Sequence, residues 1–412
     1  MEIYNTVAIL LSTAALLSYL NRCCLKLPTT IGIMTITFSL SLGLIVLQFM
    51  GLNLEEQLIY ILRHVDFSKA LLNGMLSFLL FAGALHVNLE DLVREKWIVG
   101  TLSTISVLIS AGVIGVLLYF ILPLLGFPLP FVYCLLFGAL ISPTDPIAVL
   151  SMLKQTPTPK SLRLTIAGES LFNDGIGVVL FLVVLDIAMR AQGINIARIG
   201  FLFLTEAVGG LLFGFLLGLI AYVLLKQVDD YQVEVLLTLA LVAGGYALAS
   251  AIHISGPLAM VIAGLFIGNH GKAFAMSART RERLDAFWEL IDEILNAILF
   301  MLIGLEVLLL ARQSWLVVAG LSAIPTALVA RFISVWVPVE LFSIRRQFLP
   351  HAVAIFTWSG LRGGISLALA LTIQGSAREL ILAMTYSVVA FSIIVQGISM
   401  KKLLKACLQE NS

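Results

Sequence analysis

The sequence predicts an all-α polytopic membrane protein of about thirteen transmembrane helices, arranged as an inverted repeat around two discontinuous helices that cross. Three observations carry that expectation. Of the 412 residues, 60% are hydrophobic and only 12% are charged, about half the charged share of a soluble domain. Apolar runs of about 17–25 residues, the length that crosses a bilayer as a helix, recur along the whole chain. Two of those runs, the fifth and the twelfth, are interrupted by Pro or Gly beside a charged residue, and an odd separation makes them cross in opposite directions.

The first run, near 5–21, lacks the basic leader and small-residue cleavage site of a signal peptide and is kept as a helix. The second and third lie near 29–50 and 67–86. Between them Leu52 to Phe67, which mixes Glu55, Glu56, Arg63, His64 and Asp66 with apolar residues, reads as an amphipathic helix at the outer interface. Spans four to eight follow near 97–121, 129–153, 162–186, 198–225 and 233–252. The ninth, near 256–268, is short enough to be a half-helix. Lys272 to Asp292, basic and then acidic, reads as a cytoplasmic interfacial helix leading into the tenth span near 288–310. The last three lie near 314–342, 350–373 and 379–400.

Loops on one side of this arrangement hold most of the 25 Lys and Arg residues, which places the N-terminus outside and the C-terminus in the cytoplasm of a cell membrane. The net charge of +1 gives no reason to invoke nucleic acid. Cys23, Cys24, Cys134 and Cys407 read as ordinary thiols, and without zinc-type spacing no resident cofactor is expected.

The chemistry concentrates in spans five, six and twelve. Span six carries Glu169 and Asp174, and an Asp near the centre of a span costs roughly 2.5–3.5 kcal/mol, so passive roles are uneconomical. At about 100° per residue Ser170, Asn173 and Asp174 share one helix face, while Glu169 turns away from Asp174. Span five reads Ser142-Pro143-Thr144-Asp145-Pro146. Two prolines should break the helix there, freeing carbonyls and leaving Asp145 to cap the second half. Span twelve reads Gly360-Leu361-Arg362-Gly363-Gly364, a second break around a cation. A buried guanidinium keeps its proton and needs a partner. Arg362 is expected to pair with Glu169, because pairing with Asp174 would compete with a cation there. Arg331 in span eleven is read as a support of the crossing or as a helix-end anchor. Asp186, Glu206, Glu306, Glu340, His86, His253 and His351 read as interfacial or contact-forming groups.

Taken in order, Ser142-Pro143-Thr144-Asp145-Pro146, Gly168-Glu169-Ser170 with Asn173-Asp174, Ser255-Gly256-Pro257-Leu258-Ala259, Gly360-Leu361-Arg362-Gly363-Gly364 and Val395-Gln396-Gly397-Ile398-Ser399 closely resemble the NhaP and NHE type of cation/proton antiporter. The resemblance spans nearly the whole chain. It implies the NhaA-like antiporter fold, with a core of residues 97–190 and 314–412 that moves against a dimerisation domain of residues 1–96 and 191–313. It also implies a homodimer in membrane lipid, Asp174 as carrier of cation and proton, and Na⁺ bound by Asp174, Ser170 and Thr144. Asn173 and a Glu169–Arg362 pair are implied supports. One position departs: Leu80-Phe81-Ala82-Gly83 places Ala82 where many relatives carry Glu, which removes a ligand from span three.

The reading is therefore a secondary-active Na⁺/H⁺ antiporter, electroneutral and working by alternating access, with K⁺ or Li⁺ in place of Na⁺ as the nearest alternative. A hard cation prefers oxygen ligands, which Ser170, Asp174 and the segment at Thr144 supply. An ion-coupled symporter of organic solutes would need a larger cavity. An intramembrane hydrolase would need an activated nucleophile, and Ser170 has no His or Lys in its own span.

Overall fold

The computed structural model describes residues 2–49, 70–153, 158–189, 196–306, 316–344, 348 and 350–409, and these are helical without strands. The segment Leu52 to Phe67 lies outside the described residues. Helices α1 (Glu2–Leu20) and α2 (Thr29–Phe49) form the first two spans. The third is a π-helical turn at Ala70–Met75 followed by α3 (Leu76–Leu85). Asn88 then caps the short α4 (Leu89–Arg94), its Oδ1 accepting from Asp91 N at 3.0 Å, and the chain turns into α5 (Lys96–Ser103) and α6 (Ile105–Leu124).

Span five is divided into α7 (Phe131–Ile141) and α8 (Ile147–Leu153). Spans six to eight are α9 (Lys160–Met189), α10 (Ile196–Leu225) and α11 (Tyr231–Ala251). Helix α12 (Gly256–Phe266) starts on a Ser255 cap with Pro257 in its first turn, and helical structure continues through a π turn at Ile267–Gly271 to Phe274. Span nine is thus not a half-helix. Its apolar run stops at Asn269 because that side chain ties the helix to the end of span three, donating to Val87 O at 3.0 Å and accepting from Leu89 N at 2.8 Å.

Lys272 to Asp292 leads into span ten without a break after Ser277. From the Ser277 cap, α13 (Ala278–Leu305) passes unbroken through Asp292 into span ten, because Leu284 and Trp288 give its charged first half a fully buried face. Span eleven is α14 (Leu316–Ser343), and span twelve is divided into α15 (Ala352–Trp358) and α16 (Gly364–Thr372). The chain closes with α17 (Arg378–Phe391), a π turn at Ser392–Gln396 and α18 (Gly397–Gln409).

Two apolar clusters hold these helices together. One gathers α3, α11, α12 and the first half of α13 around Trp288, against whose ring Phe81 packs at 4.7 Å between centroids. The other gathers α6, α7, α14 and α17 with both halves of span twelve, and takes in α2 and the second half of α13. Helix α9 borders both, with Leu171 in the first cluster and Phe181 in the second. That position makes α9, like α13, an element through which one cluster meets the other.

Candidate functional site

Pro143 and Pro146 cannot donate to a helical ladder, so the backbone from Ser142 to Pro146 leaves the helix and its polar groups need other partners. They find them in the second break. Asp145 N donates to Leu361 O at 2.7 Å, while Asp145 Oδ1 accepts from Ile147 N at 2.9 Å and caps α8. Gly363 has to be glycine, since a Cβ there would overlap the Asp145 side chain. Arg362 donates through Nη1 to Ser142 O and, at 3.0 Å, to Pro143 O. Those are carbonyls orphaned at the end of α7, where the negative end of a half-helix favours a cation. The freed carbonyls anticipated as cation ligands are therefore largely taken by a guanidinium.

Thr144 stands at the centre of the remaining polar groups. Its Oγ1 lies 3.0 Å from Ser170 Oγ and accepts from Asn173 Nδ2 at 2.8 Å, while its N donates to Asn173 Oδ1 at 3.2 Å. Ser170 and Asn173, three residues apart on α9, thus grip the broken segment from one face. Asp174 extends that face by one residue; it is 8% exposed, and no hydrogen bond or ion pair engages its carboxylate among the described residues. Among those same residues no hydrogen bond reaches Thr144 O. A bare carboxylate on the same helix face as the Ser170 hydroxyl, with the Thr144 hydroxyl and unclaimed carbonyl and with Asp145 near enough to act on Asp174 through its charge, makes an oxygen-rich neighbourhood that suits a hard monovalent cation or a proton.

The expected partner of Glu169 is corrected by the structure. Glu169 Oε1 is bonded by Arg331 Nη1 at 2.5 Å, both side chains are buried, and Arg331 Nη2 donates to Phe356 O at 3.0 Å. Arg362 is held instead by the carbonyls of span five and, through its own N, by Ser392 Oγ at 3.0 Å. The reason is rotational. Glu169 points toward α14, and Arg362 sits inside the crossing where carbonyls are closer than any carboxylate. Arg331 is therefore no helix-end anchor. Its depth is the signal that the sequence reading underweights, because it lies only a few residues from the middle of its apolar run.

Ala82 is buried in α3, and its carbonyl faces His86 Nδ1 at 2.8 Å. The next residue, Gly83, meets span six at Leu171, so position 82 is one residue from the contact between the two helices. Ser392, whose hydroxyl takes the Arg362 main chain, carries no signal beyond being a serine inside an apolar span.

The chain matches the family model described as sodium/hydrogen exchanger, transmembrane, over residues 11–406. It is 50% identical over 410 residues to the Na⁺/H⁺ antiporter NhaP of Pseudomonas aeruginosa, covering 97% of this chain and 96% of that protein. It is 35% identical over 390 residues to the Na⁺/H⁺ antiporter NhaH of Halobacillus dabanensis, covering 92% of each. The solved structure of the sodium proton antiporter MjNhaP1 from Methanocaldococcus jannaschii shares the fold, with a TM-score of 0.78 over 99% of this chain and 100% of that one at 21% identity.

Proposed function

Because this chain belongs to the sodium/hydrogen exchanger, transmembrane family, we propose that it is a secondary-active Na⁺/H⁺ antiporter in which Asp174 binds Na⁺ and H⁺ in turn. One observation carries the assignment: of the two buried carboxylates of α9, Glu169 is held by Arg331 and Asp174 has no partner among the described residues. Burial away from water disfavours a bare negative charge, so Asp174 is neutralised by whichever cation is available. Na⁺ takes Asp174, Ser170 and Thr144 as ligands, and Asn173 holds Thr144 in place. Asp145 and Arg362 keep the two broken helices crossed, and Glu169 with Arg331 ties span six to span eleven.

Exchange is electroneutral in this reading. Glu169 is taken up by its pair with Arg331, so one site carries either one Na⁺ or one H⁺ and crosses with the same charge. Residues 97–190 and 314–412 move against residues 1–96 and 191–313, and the second set forms a homodimer in the cell membrane, N-terminus outside and C-terminus inside. Support for the motion comes from Gly168 and Gly175, two turns apart on α9. A Cβ at Gly168 would approach Leu92 Cδ1 to 2.7 Å and one at Gly175 would approach Leu258 Cδ2 to 2.5 Å, so α9 presents a smooth face to the opposite half.

The test is purified protein in liposomes with an entrapped pH dye, challenged in turn with Na⁺, Li⁺, K⁺ and choline. Na⁺-driven proton movement that is unchanged when the membrane potential is clamped at several values supports the reading. No cation-driven proton movement removes antiport altogether. A response to K⁺ but not Na⁺ replaces the substrate, and a shift with potential shows that a second charge moves, since about 2.3 kcal/mol acts on each net charge per 100 mV.

A further inference from the structure

The last helix changes character along one face. Ile398, Lys401, Lys402 and Lys405 stand at i, i+3, i+4 and i+7 on α18, so they share one side of it, and all four are exposed. Met400, Leu404 and Cys407, on the other side, are buried. The outward face is apolar up to Ile398, with Val395 exposed just before it, and basic from Lys401 onward. Helix α18 contains no acidic residue, and no ion pair engages its three lysines among the described residues. Nor are these lysines carried on a free tail. Behind them α18 packs against α8 and α15, and Trp358 Nε1 donates to Ser399 Oγ at 2.9 Å, so they ride on a fixed surface.

Depth decides what that surface meets. Arg378 to Cys407 is one apolar helical run of 30 residues. At 1.5 Å per residue it is about 45 Å long, the thickness of a bilayer with its headgroups. Measured from Arg378, Ile398 lies about 30 Å along, at the far edge of the hydrocarbon, and the lysines about 34 to 41 Å along, in the headgroup layer. Two further cations stand at the same end. Gly397 packs on Ile31 of α2, a Cβ there coming to 3.2 Å from Ile31 Cδ1. Spans two and thirteen run in opposite directions, so the exposed Arg22 and Lys26 lie beyond that contact on the same side as Lys401. Lysines at this level are drawn to anionic headgroups, and Val395 and Ile398 offer apolar surface to acyl chains directly beside them. We propose that the outward face of α18 is a docking surface for an anionic phospholipid of the phosphatidylglycerol class, its phosphate against Lys401, Lys402 and Lys405 and its chains along Val395 and Ile398. A soluble phosphate would meet the lysines and leave the apolar half of the face unused.

The experiment uses the whole protein in phosphatidylcholine nanodiscs, with phosphatidylglycerol raised stepwise to about a third of the lipid at fixed ionic strength. Binding to the folded state raises the melting temperature in a saturable way. For the wild type the rise should be roughly 2 °C or more. The triple change Lys401→Gln, Lys402→Gln and Lys405→Gln should melt with the wild type in phosphatidylcholine alone and lose most of the rise. A second triple change, Arg94→Gln, Lys226→Gln and Arg279→Gln, removes three exposed charges elsewhere on the same side and should keep it. Inorganic phosphate added to phosphatidylcholine discs should not reproduce it. The inference fails if phosphatidylglycerol gives no rise, if the lysine variant keeps the full rise, if the second variant loses as much, or if inorganic phosphate does the same. Melting is read without any transported ion, so a failure of the antiport reading leaves this test intact.

Discussion

Glu169 and Asp174 stand five residues apart on one helix, are of the same chemical kind and are both buried, yet they do opposite things. Glu169 meets a guanidinium at 2.5 Å, whereas the Asp174 carboxylate has no hydrogen bond or ion pair among the described residues and lies on the helix face of Ser170 and Asn173, within reach of the charge of Asp145. A rotation about the axis of α9 separates a structural charge from a mobile one. In the proposed mechanism a carboxylate becomes a carrier by being left out of the pairing, while its neighbour takes up the arginine.

The largest expected effect removes the unpaired member. Asp174→Asn keeps the shape but cannot exchange a proton, so Na⁺-driven proton movement in liposomes should fall to the level of empty vesicles while the melting temperature holds or rises. Robust exchange by a folded Asp174→Asn protein would end the contrast.

Next comes the paired member. Arg331→Ala strands a buried Glu169, which should cost about 3–5 kcal/mol, read as a melting temperature lowered far more than by Glu169→Gln. The double change Glu169→Gln with Arg331→Ala should be milder than Arg331→Ala alone. Strictly additive losses, or rescue of Arg362→Ala by Glu169→Gln instead, would return Arg362 to the role of partner.

Two smaller effects sharpen the comparison. Gly175→Ala adds a methyl against Leu258, and overpacking of this kind costs about 1–3 kcal/mol. If α9 slides there, turnover should drop more than Na⁺ affinity does, and an equal loss in both would make Gly175 a packing residue only. Ala82→Glu restores a carboxylate beside the meeting point of spans three and six, and should change the relative response to Na⁺, Li⁺ and K⁺ before it changes maximal rate. An unchanged cation series would place position 82 outside the ion path.

Much of this contrast is legible in the sequence itself. Pro143, Pro146 and the glycines around Arg362 announce both breaks, because helices do not readily continue through them and backbone cannot lie bare in lipid. The shared face of Ser170, Asn173 and Asp174 follows from helical period alone. What stays hidden is rotational or lateral. Arg331 and Arg362 are equally cationic and both lie inside apolar runs, and only the packing of α14 against α9 decides which one reaches Glu169. Span nine reads as short for a related reason: hydropathy counts Asn269 as the end of a helix, while the fold uses it to tie that helix to span three.

The hold of Arg362 on Ser142 O and Pro143 O has a consequence for hydration. With those carbonyls withdrawn, an arriving ion finds ligands on one flank only, and Ala82 offers none from the other. With Asp174, Ser170 and Thr144 as the proposed ligands, such an ion would be half undressed, exchanging part of its water shell for them and keeping the remainder. Retained water softens the difference between one ionic radius and the next, because the flexible part of the shell adjusts where a rigid cage would not. In the site proposed for Asp174, the same arginine that seals the broken helix would therefore leave a loose grip, quick to release and sparing in its discrimination among alkali ions.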